Sequence, residues 1–87
     1  MKNSDASLVE CAKSGDFEAF EALFNKYQGR IYNIIYQMIG YENDAADLTQ
    51  DVFVQFYESL SRIRVKEAFY SYLCKIAVNL CRDYLKK

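Results

Sequence analysis

Apolar residues recur along most of the chain at intervals of three and four, the spacing of one helix face, and no stretch alternates as a half-buried strand does. The clearest run is Phe17, Phe20, Leu23, Phe24, Tyr27, Ile31, Ile34, Ile35 and Met38, which predicts one helix from Phe17 to about Ile39 with these residues sharing a broad inward face. Asp16 is placed to cap its start, and Gly40 to end it. A shorter helix carrying Leu8, Val9 and Ala12 begins at Ser4 or Asp5 and stops at Gly15. Gly29 falls inside the long helix, at a cost of about 1 kcal/mol relative to alanine, and marks a bend or the close approach of a neighbour. Asn43 or Asp44 caps a third helix that reaches about Leu60. The stretch SRIRVK then lacks helical period and is expected to be an exposed basic loop, with a fourth helix starting near Glu67. Proline, internal repeats and low-complexity segments are all absent. The expected fold is all-α: a compact bundle of about four helices, one domain over residues 1–87, with strand content near nil.

Composition agrees with a packed core. Hydrophobic residues make up 52% of the chain and aromatics 16%, too much burial potential for a disordered segment. A chain of this length buries about 60 to 65% of its unfolded surface, which leaves no room for a second core. No apolar run approaches the roughly 18 residues of a membrane span, and MKNSDAS lacks a signal-peptide layout, so a soluble, cytoplasmic protein is expected. Cys74 and Cys81 lie roughly 10 Å apart along one helix, beyond disulfide reach. Without histidine or a Cys-x-x-Cys pair, no metal or other cofactor is expected, and Cys11, Cys74 and Cys81 are expected to be buried free thiols.

The near-zero net charge conceals an uneven distribution. Residues 1–60 carry four basic and ten acidic side chains, and residues 61–87 carry seven basic and two acidic. On the third helix Ala45, Val52, Phe53, Phe56 and Leu60 form the core side, while Asp44, Asp47, Asp51, Gln55 and Glu58 share a different side, with Gln50 further round. An ordinary solvated face would explain acids near a helix start. Asp51 and Glu58, however, extend the negative charge past the first turn with no basic residue four positions away. On the fourth helix Phe69, Leu73, Ile76, Ala77, Leu80 and Tyr84 turn inward, and Ser71, Lys75, Asn79, Arg82 and Lys86 lie opposite them. Tyr72 sits at the edge of that basic stripe, and Arg62, Arg64 and Lys66 in the loop can extend it. Cations for phosphates, an aromatic edge for an unpaired base and an amide for a base edge are what single-strand binding requires. A basic face near a helix C-terminus also arises simply from the helix dipole.

Three segments, LVECAKSGDFEAFEALFNKYQGRIYNII, NDAADLTQDVFVQFYESL and FYSYLCKIAVNLCRDYL, resemble region 2 of sigma-70-type initiation factors, in the extracytoplasmic-function group, in order and spacing over nearly the whole chain. The resemblance implies that the third helix docks on the clamp helices of the largest catalytic subunit of RNA polymerase core, through Asp47, Gln50 and Asp51 with Asp44 and Gln55 nearby. It also implies that the loop from Ser61 to Ala68 and the outer face of the fourth helix contact the non-template strand of the promoter minus-ten element. Candidate DNA-binding residues are therefore Arg62, Arg64, Lys66, Ser71, Tyr72, Lys75, Asn79, Arg82 and Lys86. An anti-sigma factor is a further candidate partner. The chain departs from the family in having tyrosine at 57 and 72, where tryptophan is usual, and tyrosine at 70, where arginine is common. The second, minus-thirty-five-reading domain of the family is expected to be absent from this chain, with Lys87 falling where a linker would begin, as in an excised domain or a natural truncation.

The expected function is thus transcription initiation by polymerase docking and strand capture, with no bond chemistry. The alternative is an interaction-only module, a decoy or anti-sigma-binding domain without promoter binding. Catalysis is disfavoured because the chain offers no histidine, phosphate loop or nucleophile-base spacing. A helix-turn-helix reader of duplex DNA is disfavoured because the loop between the third and fourth helices exceeds the usual three or four residues.

Overall fold

The structure is a computed structural model that describes residues 4–63 and 69–86. Four α-helices, α1 (Asp5–Lys13), α2 (Phe17–Ile39), α3 (Glu42–Glu58) and α4 (Phe69–Lys86), with a short 3₁₀ turn at Leu60–Arg62, account for the regular structure of the described residues, which contain no strand. At about 1.5 Å per residue the 23 residues of α2 extend roughly 35 Å, close to the 38 Å long dimension of the molecule. The other three helices all pack against α2.

The boundaries follow from capping chemistry. Ser4 accepts a hydrogen bond from the Ser7 amide at 3.2 Å, so Ser4, one of the two expected candidates, caps α1. Asp16 accepts from the amides of Glu18 (3.0 Å) and Ala19 (3.3 Å) at the start of α2. Gly40, at φ 80°, occupies the left-handed region that ends α2, and its amide donates to the Tyr36 carbonyl at 2.8 Å. That reversal is tight enough for α3 to begin at once. Neither Asn43 nor Asp44 caps it: the cap position is Tyr41, without a side-chain bond, and Glu42 and Asp44 in the first turn favour the positive helix end instead. Gly29 marks no close approach, since nothing lies within 4 Å of where its Cβ would stand, and α2 runs continuously through it.

The core is built from Val9 and Ala12 of α1, Leu23, Tyr27, Ile31 and Ile35 of α2, Ala45, Val52, Phe53 and Phe56 of α3, and Phe69, Leu73, Ala77 and Cys81 of α4. Aromatic rings join three helices. Phe20 stacks on Phe56 at 5.5 Å, Phe56 meets Phe69 edge-on at 5.0 Å, and Phe69 meets Tyr27 at 5.8 Å. Each such pair adds about 0.5 to 1.5 kcal/mol beyond the area it buries. Within the expected α2 face, Phe17 is 58% exposed and Met38 is 38% exposed, and Phe20, Phe24 and Ile34 are half-buried, while Ala19 and Ile39 are buried. Thr49 is also buried, its hydroxyl donating to the Ala45 carbonyl of the same helix at 2.7 Å.

The cysteines divide. Cys81 is buried, and burial pushes its thiol pKa up; Cys74 is half-buried, and Cys11 is exposed, contrary to the expectation of three buried thiols. The start of the α3–α4 connection is likewise not wholly an exposed loop. Leu60 and Ile63 are buried, and Lys13 of α1 donates to the Ile63 carbonyl at 2.7 Å. The beginning of α4 expected near Glu67 lies outside the described residues.

Candidate nucleic-acid and protein interfaces

The outer side of α3 presents Asp47, Gln50, Asp51, Gln55 and Glu58, all exposed. Among the described residues the one ion pair is between Lys26 and Asp5, at 2.7 Å, so Asp47 and Asp51 have no cationic partner there. Like charges four residues apart repel by about 0.2 to 0.5 kcal/mol on a helix surface. This ridge therefore carries a small electrostatic cost that a cationic surface would relieve. Asp44 stands apart from it. Half-buried, it accepts a hydrogen bond from the Tyr84 hydroxyl and so ties the start of α3 to the end of α4. That bond to a carboxylate holds the Tyr84 phenol in its neutral form and pushes its pKa up to about 12.

The outer side of α4 is a groove of about 660 Å³ lined by Tyr70, Ser71, Cys74, Lys75, Val78, Asn79 and Arg82. Four of the residues expected for strand binding, Ser71, Lys75, Asn79 and Arg82, are exposed and brought together here. Lys86 is exposed further along α4. Arg62 is exposed in the 3₁₀ turn before α4, whereas Arg64 and Lys66 lie outside the described residues. Tyr72 does not line the groove. It is half-buried, its hydroxyl within 2.6 Å of Ser59 Oγ and its ring stacked 6.5 Å from Phe69, so it ties the end of α3 to α4. The aromatic wall is Tyr70 instead. On a helix of 100° per residue, Tyr70, Cys74 and Val78 lie along one edge of the basic stripe, a row that the helical period alone assigns neither to the core nor to the stripe.

A second concavity was not apparent from the sequence. Phe17, Phe20, Phe24, Phe53, Val54 and Tyr57, with Gln50 and Glu58 at its rim, line an open apolar cleft of about 500 Å³ between α2 and α3. Val54 and Tyr57 are each more than half exposed. The sequence signal available was Val54 and Tyr57 falling outside the inward period of α3.

A seam between α1 and α2 holds the remaining charge cluster. Asp5 accepts from Lys26 Nζ and from the Tyr27 hydroxyl. Partial burial would raise its carboxyl pKa, but the bonds from Lys26 and Tyr27 outweigh burial and hold it below its ordinary value. The guanidinium of Arg30 lies 5.8 Å from the Tyr27 ring centre and 5.2 Å from that of Tyr70.

Residues 23–87 match the family model described as Sigma-70 region 2. The chain is 35% identical over 82 residues to the ECF RNA polymerase sigma-E factor of Haemophilus influenzae, covering 94% of this chain and 43% of that protein. It is 34% identical over 84 residues to the RNA polymerase sigma-H factor of Pseudomonas aeruginosa, covering 97% of this chain and 44% of the relative. It thus spans less than half the length of these curated relatives. Among solved structures, an engineered region 2 of sigmaE determined by NMR in complex with GTAAAA superposes with a TM-score of 0.87 at 30% identity, over 94% of this chain and 85% of that one. The chain belongs to the sigma-70 region 2 family, and its fold and relatives place it with the extracytoplasmic-function group.

Proposed function

We propose that this sigma-70 region 2 domain acts in transcription initiation, docking on RNA polymerase core through α3 and capturing the non-template strand of the promoter minus-ten element along α4. The observation that carries the reading is the disposition of charge: a ridge of carboxylates on α3 and a groove holding Lys75 and Arg82 on α4, both exposed and unpaired with each other among the described residues. Had Asp47 and Asp51 closed on Lys75 and Arg82, neither surface would be available to a partner.

Each surface has a distinct task. Asp47 and Asp51, one turn apart, meet a basic strip on the polymerase clamp helices, with Gln50 and Gln55 able to donate and accept at its margins. Asp44 contributes mainly by holding α3 against α4 through Tyr84. In the groove Lys75 and Arg82 neutralise phosphates, Asn79 offers a donor and an acceptor to a base edge, and Tyr70 supplies a ring at the wall. Arg62 and Lys86 extend the cationic path, and Arg64 and Lys66, which lie outside the described residues, are further candidates for contact with the strand. The sigmaE region 2 bound to GTAAAA, with the same fold, supports a single strand as ligand. An anti-sigma factor would compete for the same exposed faces. The work is binding, with no bond made or broken by the protein.

The test is capture of core polymerase by the unaltered chain and by Asp47→Lys and Asp51→Lys. Reversing a charge in a paired interface is expected to weaken capture at least about tenfold while leaving the melting temperature nearly unchanged, because both side chains are exposed. Capture unaffected by either substitution would remove α3 as the docking helix.

A further inference from the structure

We propose that Arg30 of α2 is a further cation of the α4 groove, contacting a phosphate of a single strand laid there, with Tyr27 and Tyr70 holding its guanidinium in place. The inference rests on the proposed role of the groove as a strand-binding site and adds to it a residue forty positions away in sequence from the groove's aromatic wall.

Four observations converge on Arg30. It is exposed, so its donors are open to solvent. Its guanidinium lies 5.2 Å from the centre of Tyr70, which is itself a wall of the groove containing Lys75, Asn79 and Arg82. A second ring confines it: Tyr27 lies 5.8 Å away and stacks on Tyr70 at 5.3 Å and 25°. Finally, the nearby carboxylate of Asp5 is already bonded to Lys26 and to the Tyr27 hydroxyl, and no ion pair engages Arg30 among the described residues. A guanidinium resting against aromatic rings keeps its N–H groups directed away from them and loses less freedom on binding than a free side chain. Its planar fork suits a phosphate oxygen pair better than a lysine would. The groove would then draw cations from two helices, Arg30 from α2 and Lys75 and Arg82 from α4. A sugar-phosphate backbone following α4 would pass between them, leaving its bases to Tyr70 and Asn79.

The experiment measures binding of the single strand GTAAAA to the 87-residue chain across a salt series. Each phosphate contact contributes about 0.7 to the slope of log affinity against log salt for a single strand. Arg30→Gln is expected to make the slope shallower by about that amount. Arg30→Lys should keep the slope while lowering affinity several-fold, because the charge remains and the planar fork is lost. A role confined to packing predicts an unchanged slope in both variants, since loss of packing would not change the number of phosphates neutralised. A second measurement needs no variant: in the unaltered protein the Arg30 Nε–Hε resonance should shift saturably as the strand is added. The proposal is overturned if Arg30→Gln retains the full slope and the resonance stays put while Lys75→Ala and Arg82→Ala lose slope. If those two α4 variants also keep the full slope, or the unaltered chain does not bind, the strand-binding reading of the groove falls, and this inference with it.

Discussion

The α1–α2 seam and the outer side of α3 both carry aspartates, yet in opposite circumstances. At the seam Asp5 is three-quarters covered on its side chain and accepts from Lys26 and Tyr27 of a different helix. On α3, Asp47 and Asp51 face solvent, a turn apart, with no cation against them among the described residues. The first arrangement uses charge to hold two helices together, and the second leaves charge for something outside. The same contrast divides the cations of α2. Lys26 is taken by Asp5, whereas Arg30, one turn further, lies between the tyrosines at the edge of the α4 groove. Formal charge along the chain is therefore a poor guide to interaction; what counts is whether folding supplies an internal partner.

The largest way to break the comparison is to cut the aromatic link on which both regions depend. Phe69 is fully buried and touches Phe56 of α3 and Tyr27 of α2, so Phe69→Ala should cost about 3 to 5 kcal/mol and weaken polymerase capture and strand binding together. Urea unfolding measures the loss. A smaller effect sharpens the comparison directly. Asp5→Asn should destabilise the fold by about 1 kcal/mol, limited by the solvent exposure of Lys26, whereas Asp51→Asn should raise stability by about 0.2 to 0.5 kcal/mol by relieving repulsion. The two also differ with pH. Because the folded-state carboxyl of Asp5 lies below its ordinary 3.8, its contribution is complete above that value and disappears as pH falls through the lowered one, so Asp5→Asn should flatten the acid limb of stability.

The smallest expected effect concerns Asp44, which shares features of both regions. One of the eight tyrosines, Tyr84, should ionise near pH 12 rather than near its ordinary 10.0. A raised phenol pKa means that its stabilisation is complete below pH 10.0 and lost as pH climbs through about 12. Ultraviolet titration of the phenolates should lose that late step in Tyr84→Phe. If the late step persists, Asp44 is as free as Asp47, and the α3 ridge is longer than the structure indicates.

Much of the candidate site was legible because helical period is a local property. Asp47 and Asp51 cannot share the core side with Val52 and Phe56, and Lys75, Asn79 and Arg82 cannot share it with Leu73 and Ala77, whatever the rest of the molecule does. Gly40 and Asp16 marked the ends of α2 for an equally local reason, a left-handed backbone and a carboxylate reaching two amides. The α3 start was misplaced because Asn43 and Asp44 are good caps in isolation, while the sharp reversal at Gly40 had already brought Glu42 into the helix.

Sequence by itself determined an all-helical chain, the faces of its helices, and the opposite signs of charge on α3 and α4. Only packing between helices decided that Tyr70 rather than Tyr72 walls the groove, that Tyr84 occupies Asp44, that Ile63 is buried, and that Arg30 reaches the edge of α4. The reason is geometric. A period of 100° per residue fixes neighbours within one helix, whereas the partner of a side chain at a helix edge depends on how a second helix crosses it, and that is set by the fit of the whole core.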